Sequence, residues 1–164
     1  MSQVIKGVTL NTQINTANPV ARANIDTIID FMSVYLKDKE HFYSLWVEDE
    51  PQVITPFISD DIAVCKIAVH SGWDKVKAFW DPIHDEMKGT FEWFIDEIIA
   101  AEDPNTIVTK STSKIDVIVG PSWGGPKPVK YQGSYVQIFK FENGKVKSFE
   151  EYYDTARLIA VYSA

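Results

Sequence analysis

The sequence predicts a single α+β domain in which a curved, mainly antiparallel sheet wraps around helices. Two observations predict this class: apolar residues at helical spacing dominate the first half, and long strand-like segments joined by tight turns dominate the second. The chain has 164 residues, 45% of them hydrophobic and 13% aromatic, which is enough to bury one sizeable core. We therefore predict an N-terminal arm over residues 1–17, which are polar and aperiodic, and one domain over residues 18–164.

Three helices are predicted in the first half. Asn18 followed by Pro19 marks the first start, because the Asn side chain caps free N–H groups and proline suits the first helical turn. Asp38 is placed to cap a second, short helix. Ser71 is placed to cap a third, which Pro82 should bend or interrupt because proline removes a backbone hydrogen bond.

Strand signals begin between the second and third helices and then dominate the chain. Gln52–Phe57 and Ile62–Val69 are predicted to pair as a hairpin around the polar break Ser59–Asp61. Past Gly89, tight turns separate four long consecutive strands: Thr90–Ala101, Thr106–Val119, Val129–Glu142 and Lys145–Asp154. A last short helix is predicted from Thr155 to Tyr162.

Charge and apolar patterning limit the partners. Sixteen basic against 23 acidic residues give a net charge of -7, which disfavours nucleic acid and anionic membrane surfaces. No apolar run approaches the roughly 20 residues of a membrane span, and the N-terminus lacks the layout of a signal peptide. The lone Cys65 lies in an apolar run, which predicts a buried thiol. We therefore expect a cytoplasmic protein that binds a small, hydrophobic or cyclic molecule.

The last predicted strand carries the main catalytic candidate. On an alternating strand Phe149, Glu151 and Tyr153 share one face, which would set a carboxylate between two aromatic rings. If that face is concave, burial should raise the pKa of Glu151 toward neutrality and suit it to proton transfer. In the open alternative the register is reversed, and Glu150 points inward or both carboxylates face solvent.

Two further strands carry polar candidates for the same site. Lys114 and Asp116 share one face of their strand; they either meet Glu151 across a pocket or form a surface ion pair. Tyr131 and Tyr135 share a face of the next strand, where a phenol can donate a hydrogen bond to a carbonyl, or simply pack.

Two tryptophans are predicted to contact a ligand. Trp80 belongs to the apolar stripe of the third helix. Trp123 lies in the Gly- and Pro-rich loop Gly120–Pro128, where it either covers a ligand or packs on a neighbour or a dimer partner.

Metal and nucleotide cofactors have no visible site. The three histidines, His41, His70 and His84, do not stand at ligand spacing, and His70 is expected in solvent at a helix boundary. No Gly-rich segment leads from a strand into a helix, which a phosphate cradle requires. We predict neither a metal nor a cofactor.

The order of elements, with a last long strand ending in Glu150–Asp154 (EEYYD), resembles the SnoaL-like branch of the nuclear transport factor 2 superfamily from Asn18 onward. Five segments are similar to the phenazine-biosynthesis PhzA/PhzB family: Asn24–Met32, Tyr43–Asp49, Phe91–Trp93, Glu102–Asn105 and Glu142–Tyr152. Thr112–Pro121 and Gly144–Asp154 resemble limonene-epoxide hydrolases, whose catalytic positions read here as Lys114, Asp116 and Glu151, with lysine in place of that family's arginine.

These resemblances imply a cone-shaped, cystatin-like sheet with the helices of the first half in its concave face, a central pocket and a homodimer. Both place the catalytic carboxylate on Glu151. The PhzA/PhzB resemblance implies condensation of a ketone-bearing ring, and the hydrolase resemblance implies opening of an epoxide; isomerisation and cyclisation occur on the same scaffold. A binding module without turnover and a dimerisation domain with a filled interior are the alternatives.

Overall fold

The computed structural model describes residues 2–58 and 65–163. Within them, one curved, open sheet of eight strands wraps around the helices, as predicted. The elements are, in order, β1 Gln3–Ile5, β2 Val8–Leu10, α1 Pro19–Val34, α2 Lys39–Ser44, β3 Gln52–Ile58, β4 Cys65–Ser71, α3 Trp73–Glu86, β5 Lys88–Ala100, β6 Thr106–Val119, β7 Lys127–Glu142, β8 Lys145–Tyr153 and α4 Thr155–Ser163.

The sheet has one buried and one exposed face because side chains along its central strands point alternately to the two sides. Its strand order is β1-β2-β5-β6-β7-β8-β3-β4, in which β5 to β8 form consecutive antiparallel hairpins and β3 joins β8 in parallel. Along β6 and β7 every second residue is buried on the concave face and the residues between are mainly exposed on the convex face. The concave face therefore presents a continuous surface to the helices.

The N-terminal segment is part of the sheet, which corrects the prediction of an arm over residues 1–17. Lys6 and Gly7, both with positive φ (50° and 82°), turn the chain between β1 and β2, as tight hairpin turns require. Val8 and Leu10 are fully buried, and β2 pairs with β5. Strands of three residues are too short to show an alternating pattern in the sequence, so the segment reads as aperiodic.

The first two helix starts are confirmed and the third is wrong. Asn18 Oδ1 accepts hydrogen bonds from two backbone amides of α1, and Asp38 Oδ1 accepts one from His41 N at 2.9 Å. Ser71 instead ends β4, where it pairs with Gln52, and Gly72 at φ 84° turns the chain into α3. The helix also continues through Pro82 to Glu86.

The hairpin of β3 and β4 is confirmed in its paired residues, from Gln52 opposite Ser71 to Ile58 opposite Cys65. The predicted turn at Ser59–Asp61 and the first residues of the predicted strand, 62–64, lie outside the described residues. So does the side chain of Cys65, whose predicted burial is not described.

An aromatic cluster joins α1 to the concave face. The ring of Phe31 lies 4.6 Å from that of Phe42, 5.4 Å from Phe139 and 5.3 Å from Phe149, measured between centroids. Trp80 of α3 packs against the same group, with its ring 6.1 Å from Phe31. These rings pack between the helices and the sheet, and Trp80 also lines a cavity beside them.

Among the described helices, none combines the length and apolar character needed to cross a lipid bilayer.

Candidate active site

A cavity of about 500 Å³ opens between the concave face of the sheet and α3. Its walls are mainly aromatic and aliphatic, and α4 and the loop after β6 contribute its rim. Among the described residues that line it, Glu151 is the one carboxylate and His70 the one imidazole, and no lysine or arginine lines it. The cavity is therefore an apolar enclosure around a single acid.

Glu151 enters this cavity because of its position on β8. Alternation places it on the concave face with Phe149 and Tyr153, while Glu150 lies on the convex side, where it accepts a hydrogen bond from the Tyr152 hydroxyl. Glu151 is partly buried, since its side chain opens into the cavity. The register left open by the sequence is thus the one that turns Glu151 inward.

The environment of Glu151 opposes ionisation. Burial raises the pKa of Glu151 to about 7, and one hydrogen bond partly offsets this: Gln137 Nε2 donates to Glu151 Oε2 at 2.8 Å. Burial and the nearby Glu151 charge also raise the pKa values of the Tyr135 and Tyr153 phenols, which therefore stay neutral near pH 7. The site can hold or release one proton at neutral pH.

This raised pKa should make stability depend on pH in a defined direction. Between pH 4.5 and about 7 the unfolded chain ionises Glu151 while the folded protein keeps it protonated, so stability falls as pH rises and levels off above 7. Glu151→Gln should therefore raise the free energy of unfolding at pH 8 by up to about 3 kcal/mol, and change it little at pH 4.

Denaturant unfolding of the variant and the wild type at both pH values checks this prediction. His70 and His84 have lowered pKa values because they are buried, and they act in the opposite direction, so only the difference between the two proteins isolates Glu151. Glu150→Gln, the same change on the convex face, is the matched control. A Glu151→Gln gain that is equal at the two pH values would contradict a raised pKa.

The aromatic residues that the sequence suggested as site candidates divide into two groups. Tyr135, Tyr153, Trp80 and Trp123 line the cavity. Phe149 does not line it, because its ring packs into the aromatic cluster, 5.7 Å from that of Trp80 and next to Phe31 and Phe139. Tyr131 is on the concave face but is covered by α4, whose Arg157 guanidinium lies 5.7 Å from its ring centroid.

The expectation that Lys114 and Asp116 meet Glu151 is wrong. Both lie on the convex face of β6, where Lys114 Nζ lies 3.9 Å from Glu92 Oε2 and Asp116 pairs with Lys130 at 2.9 Å. Alternation gives the concave positions to the residues between them, such as Ile115. Each of the two residues therefore forms a surface ion pair with a different partner, and they do not pair with each other.

Trp123 packs on a neighbour and lines the cavity at once. Its ring centroid lies 5.3 Å from that of Tyr162 in α4, which also lines the cavity. Glu86, the last residue of α3, fixes this rim: its carboxylate accepts hydrogen bonds from the Ser122 backbone amide and hydroxyl, each at 2.8 Å. The rim is thus tied to the helix that roofs the cavity.

His70 is a cavity residue that sequence reasoning missed. It lies on β4 two residues after Ala68, which also lines the cavity, and its ring packs 5.1 Å from that of Phe79. Its Nε2 is buried and has no hydrogen-bond partner among the described residues. The predicted strand ended at Val69, two residues before the observed end of β4 at Ser71, so His70 was assigned to a solvated boundary.

Within residues 2–58 and 65–163, no cluster of three or more His, Cys, Asp or Glu side chains is placed to hold a metal ion.

Comparison with solved structures identifies the architecture. A phenazine biosynthesis-related protein, PhzB2 of Pseudomonas aeruginosa, superposes with a TM-score of 0.70 at 18% identity, over 93% of this chain and 88% of its own. A protein of Jannaschia sp. CCS1 described as a SnoaL-like polyketide cyclase also gives 0.70, at 13% identity over 92% and 99% of the two chains. The chain has a SnoaL-like, nuclear-transport-factor-2-like fold.

A third solved structure with a similar fold has a different chemistry in its name. SalBIII, an epoxide hydrolase/cyclase-like enzyme with a role in pyran ring formation in the polyether salinomycin, matches with a TM-score of 0.60 at 10% identity, over 82% of this chain and 93% of its own. No family model and no curated protein sequence matches the chain. At these identities the likeness establishes the fold.

Proposed function

We propose that the chain is a cofactor-free enzyme that moves protons on a cyclic, ketone-bearing or oxygenated small molecule, with Glu151 as general acid/base. The observation that carries this proposal is one carboxylate, with a pKa of about 7, in an aromatic cavity of about 500 Å³. Near neutral pH the group can therefore pass between the ionised form, which accepts a proton, and the acid, which returns one. Such a group contributes roughly a hundred- to ten-thousand-fold to a rate.

The cavity wall supports an oxygen-bearing ring as the ligand. The ring nitrogens of three wall residues, Trp80, Trp93 and Trp123, are buried without a hydrogen-bond partner among the described residues. These nitrogens have no surface open to the cavity, so they do not contact a ligand in this arrangement. The polar groups that do line the cavity include the phenols of Tyr135 and Tyr153, which can donate hydrogen bonds to a carbonyl oxygen, so the wall fits a flat, oxygen-bearing ring.

The proposed reaction removes a proton from a carbon next to a carbonyl and returns it elsewhere on the ligand. Ionised Glu151 takes the proton, the electron pair moves into the carbonyl as an enolate, and a neutral phenol donates a hydrogen bond to the developing oxyanion. Tyr135 and Tyr153 line the cavity and supply such phenols. Lys114, on the convex face, is excluded from this role. Isomerisation and cyclisation both proceed through this step.

Two alternatives fit the geometry less well. Epoxide opening would need Lys114 and Asp116 beside Glu151, and both lie on the opposite face of the sheet. A dimerisation domain with a filled interior would leave no cavity beside Glu151. A binding module has the same cavity without turnover, and only an assay separates it from an enzyme.

Proton exchange tests the proposal without knowledge of the natural substrate. The protein is incubated in deuterated water near neutral pH with enolisable cyclic ketones, such as cyclohexanone and tetralone, and loss of the α-proton signal is followed by NMR. We expect exchange above the buffer rate. Ligand-induced chemical-shift changes without exchange would indicate a binding module, and a diol formed from cyclohexene oxide would indicate the hydrolase alternative.

We also propose that the chain forms a homodimer through the convex face of its sheet. The convex face exposes apolar side chains on neighbouring strands, Ile118 of β6 and Val136 of β7, which are 48% and 38% exposed. Sedimentation velocity at micromolar concentration should give a dimer, and a monomer at that concentration would count against it.

A further inference from the structure

A buried chain of hydrogen bonds runs behind Glu151, away from the cavity. Gln137 lies directly opposite Glu151 in the pairing of β7 with β8, and its side chain is fully buried. Its Oε1 accepts two hydrogen bonds, from Thr109 Oγ1 at 2.8 Å and from Ser111 Oγ at 2.5 Å. Its Nε2 donates to Glu151 Oε2 at 2.8 Å. Both hydroxyls belong to β6, on the concave face, and both are buried.

The partners of Gln137 indicate which way its amide points. A carboxylate can only accept a hydrogen bond, whereas a hydroxyl can donate one, so the amide N–H faces Glu151 and the amide oxygen faces Thr109 and Ser111. The two hydroxyls fill both acceptor positions of that oxygen. The amide N–H group is consequently turned toward Glu151.

We propose that Gln137 is a positioning residue that decides which oxygen of Glu151 exchanges the proton. An N–H group can only donate, so Oε2 acts as an acceptor whether Glu151 is ionised or protonated. The carbonyl oxygen of a carboxylic acid is its better acceptor, so in the acid Oε2 takes the carbonyl role and Oε1 carries the proton. Oε1 accepts no hydrogen bond from any described residue and is not closed off from the cavity.

This arrangement explains how an acid in an apolar wall can still ionise near pH 7. The Gln137 N–H stabilises the carboxylate from behind and lowers the pKa that burial raises, while Oε1 stays free for a ligand. Four phenols face Glu151, and burial raises the pKa of each, so all of them remain neutral. They belong to Tyr35, which follows the last residue of α1, to Tyr131 and Tyr135 of β7, and to Tyr153 of β8. His70 is the other titrating group of the cavity.

The test is a titration of the Glu151 side-chain carboxyl carbon by carbon-13 NMR, with Glu151→Gln to assign the signal. Gln137→Met, which keeps length and removes the donor, should raise the Glu151 pKa by about one unit. Thr109→Val combined with Ser111→Ala should also raise it, because the amide is then free to reverse and accept from the protonated acid. Ser113→Ala is the matched control, since that hydroxyl bonds Tyr135 instead of Gln137 and should leave the pKa unchanged.

An infrared measurement adds a readout that a merely structural role would not move. The carbonyl stretch of protonated Glu151 should shift to higher frequency in Gln137→Met, because its oxygen Oε2 loses the N–H donor. If either variant unfolds, the triple variant Thr109→Val/Ser111→Ala/Gln137→Met removes both partners of the two hydroxyl–amide bonds and should leave fewer unpaired polar groups than the single and double changes. A Glu151 pKa that stays unchanged in these folded variants overturns the proposal.

This inference rests on the proposed role of Glu151, but its test needs no substrate. An unchanged Glu151 pKa in the variants would contradict the proposed role of Gln137. Proton exchange on ketones would then still be a separate test of the proposed function. Absence of α-proton exchange would contradict the proposed function, but it would not affect the result of the Glu151 titration.

Discussion

Glu151→Gln should lower the rate of α-proton exchange, on any cyclic ketone that the wild-type protein turns over, by about a hundred- to ten-thousand-fold. Glutamine keeps the size of the side chain and can still accept the hydrogen bond from Gln137 Nε2, but it cannot take up a proton. Ligand affinity should therefore change only severalfold. NMR exchange rates and a ligand titration on the same samples give both quantities.

The matched control for this prediction is Glu150→Gln, which makes the same chemical change one residue away on the convex face. It should leave the exchange rate unchanged. For wild-type protein the rate should rise with pH and level off above about pH 7, because the ionised form of Glu151 is the base. Equal loss in both variants, or exchange that survives Glu151→Gln, would contradict the assignment.

Phe31→Ala should lower the free energy of unfolding by about 3–5 kcal/mol. Phe31 is 1% exposed, and its ring contacts aromatic rings from α2, α3, β7 and β8 at once, so truncation leaves a hole that four elements border. The measurement is chemical denaturation at a fixed pH.

Val20→Ala, on the same helix but 46% exposed, is the control and should change stability by less than about 0.5 kcal/mol. A loss below about 1 kcal/mol for Phe31→Ala would mean that the aromatic cluster is not the centre of the core.

The architecture was largely predictable because its signals are local. The turn at Asn143-Gly144 has positive φ at both residues, which two-residue hairpin turns require, and the bounds of β6 agree with those predicted. The caps at Asn18 and Asp38 depend only on neighbouring backbone amides. The N-terminal strands were missed because each has only three residues, and because the hairpin that they form is held in the sheet by pairing of β2 with distant β5.

The candidate site was predictable only in part. The alternation of side chains shows which residues of a strand share a face, but it does not show which of the two faces is concave. On β8 the aromatic neighbours of Glu151 identified the inner face. On β6 both faces are polar, with Ser111 and Ser113 inside and Lys114 and Asp116 outside, so the sequence pointed to the wrong pair. The inner hydroxyls are stabilised by cross-strand partners.

The role of Gln137 could not be predicted from the sequence either. In the sequence it is a polar residue among apolar ones on β7, and its role depends on residues 26 and 28 positions before it and 14 after it. Only the register of three strands brings those groups together.

The central claim is that an aromatic cavity keeps Glu151 poised between acid and base at neutral pH. A direct carbon-13 titration of its carboxyl group in the unmodified protein tests that claim without a ligand. The account predicts a midpoint near pH 7. A midpoint near the ordinary glutamate value of 4.5 would contradict it, and with it the proposed acid/base role.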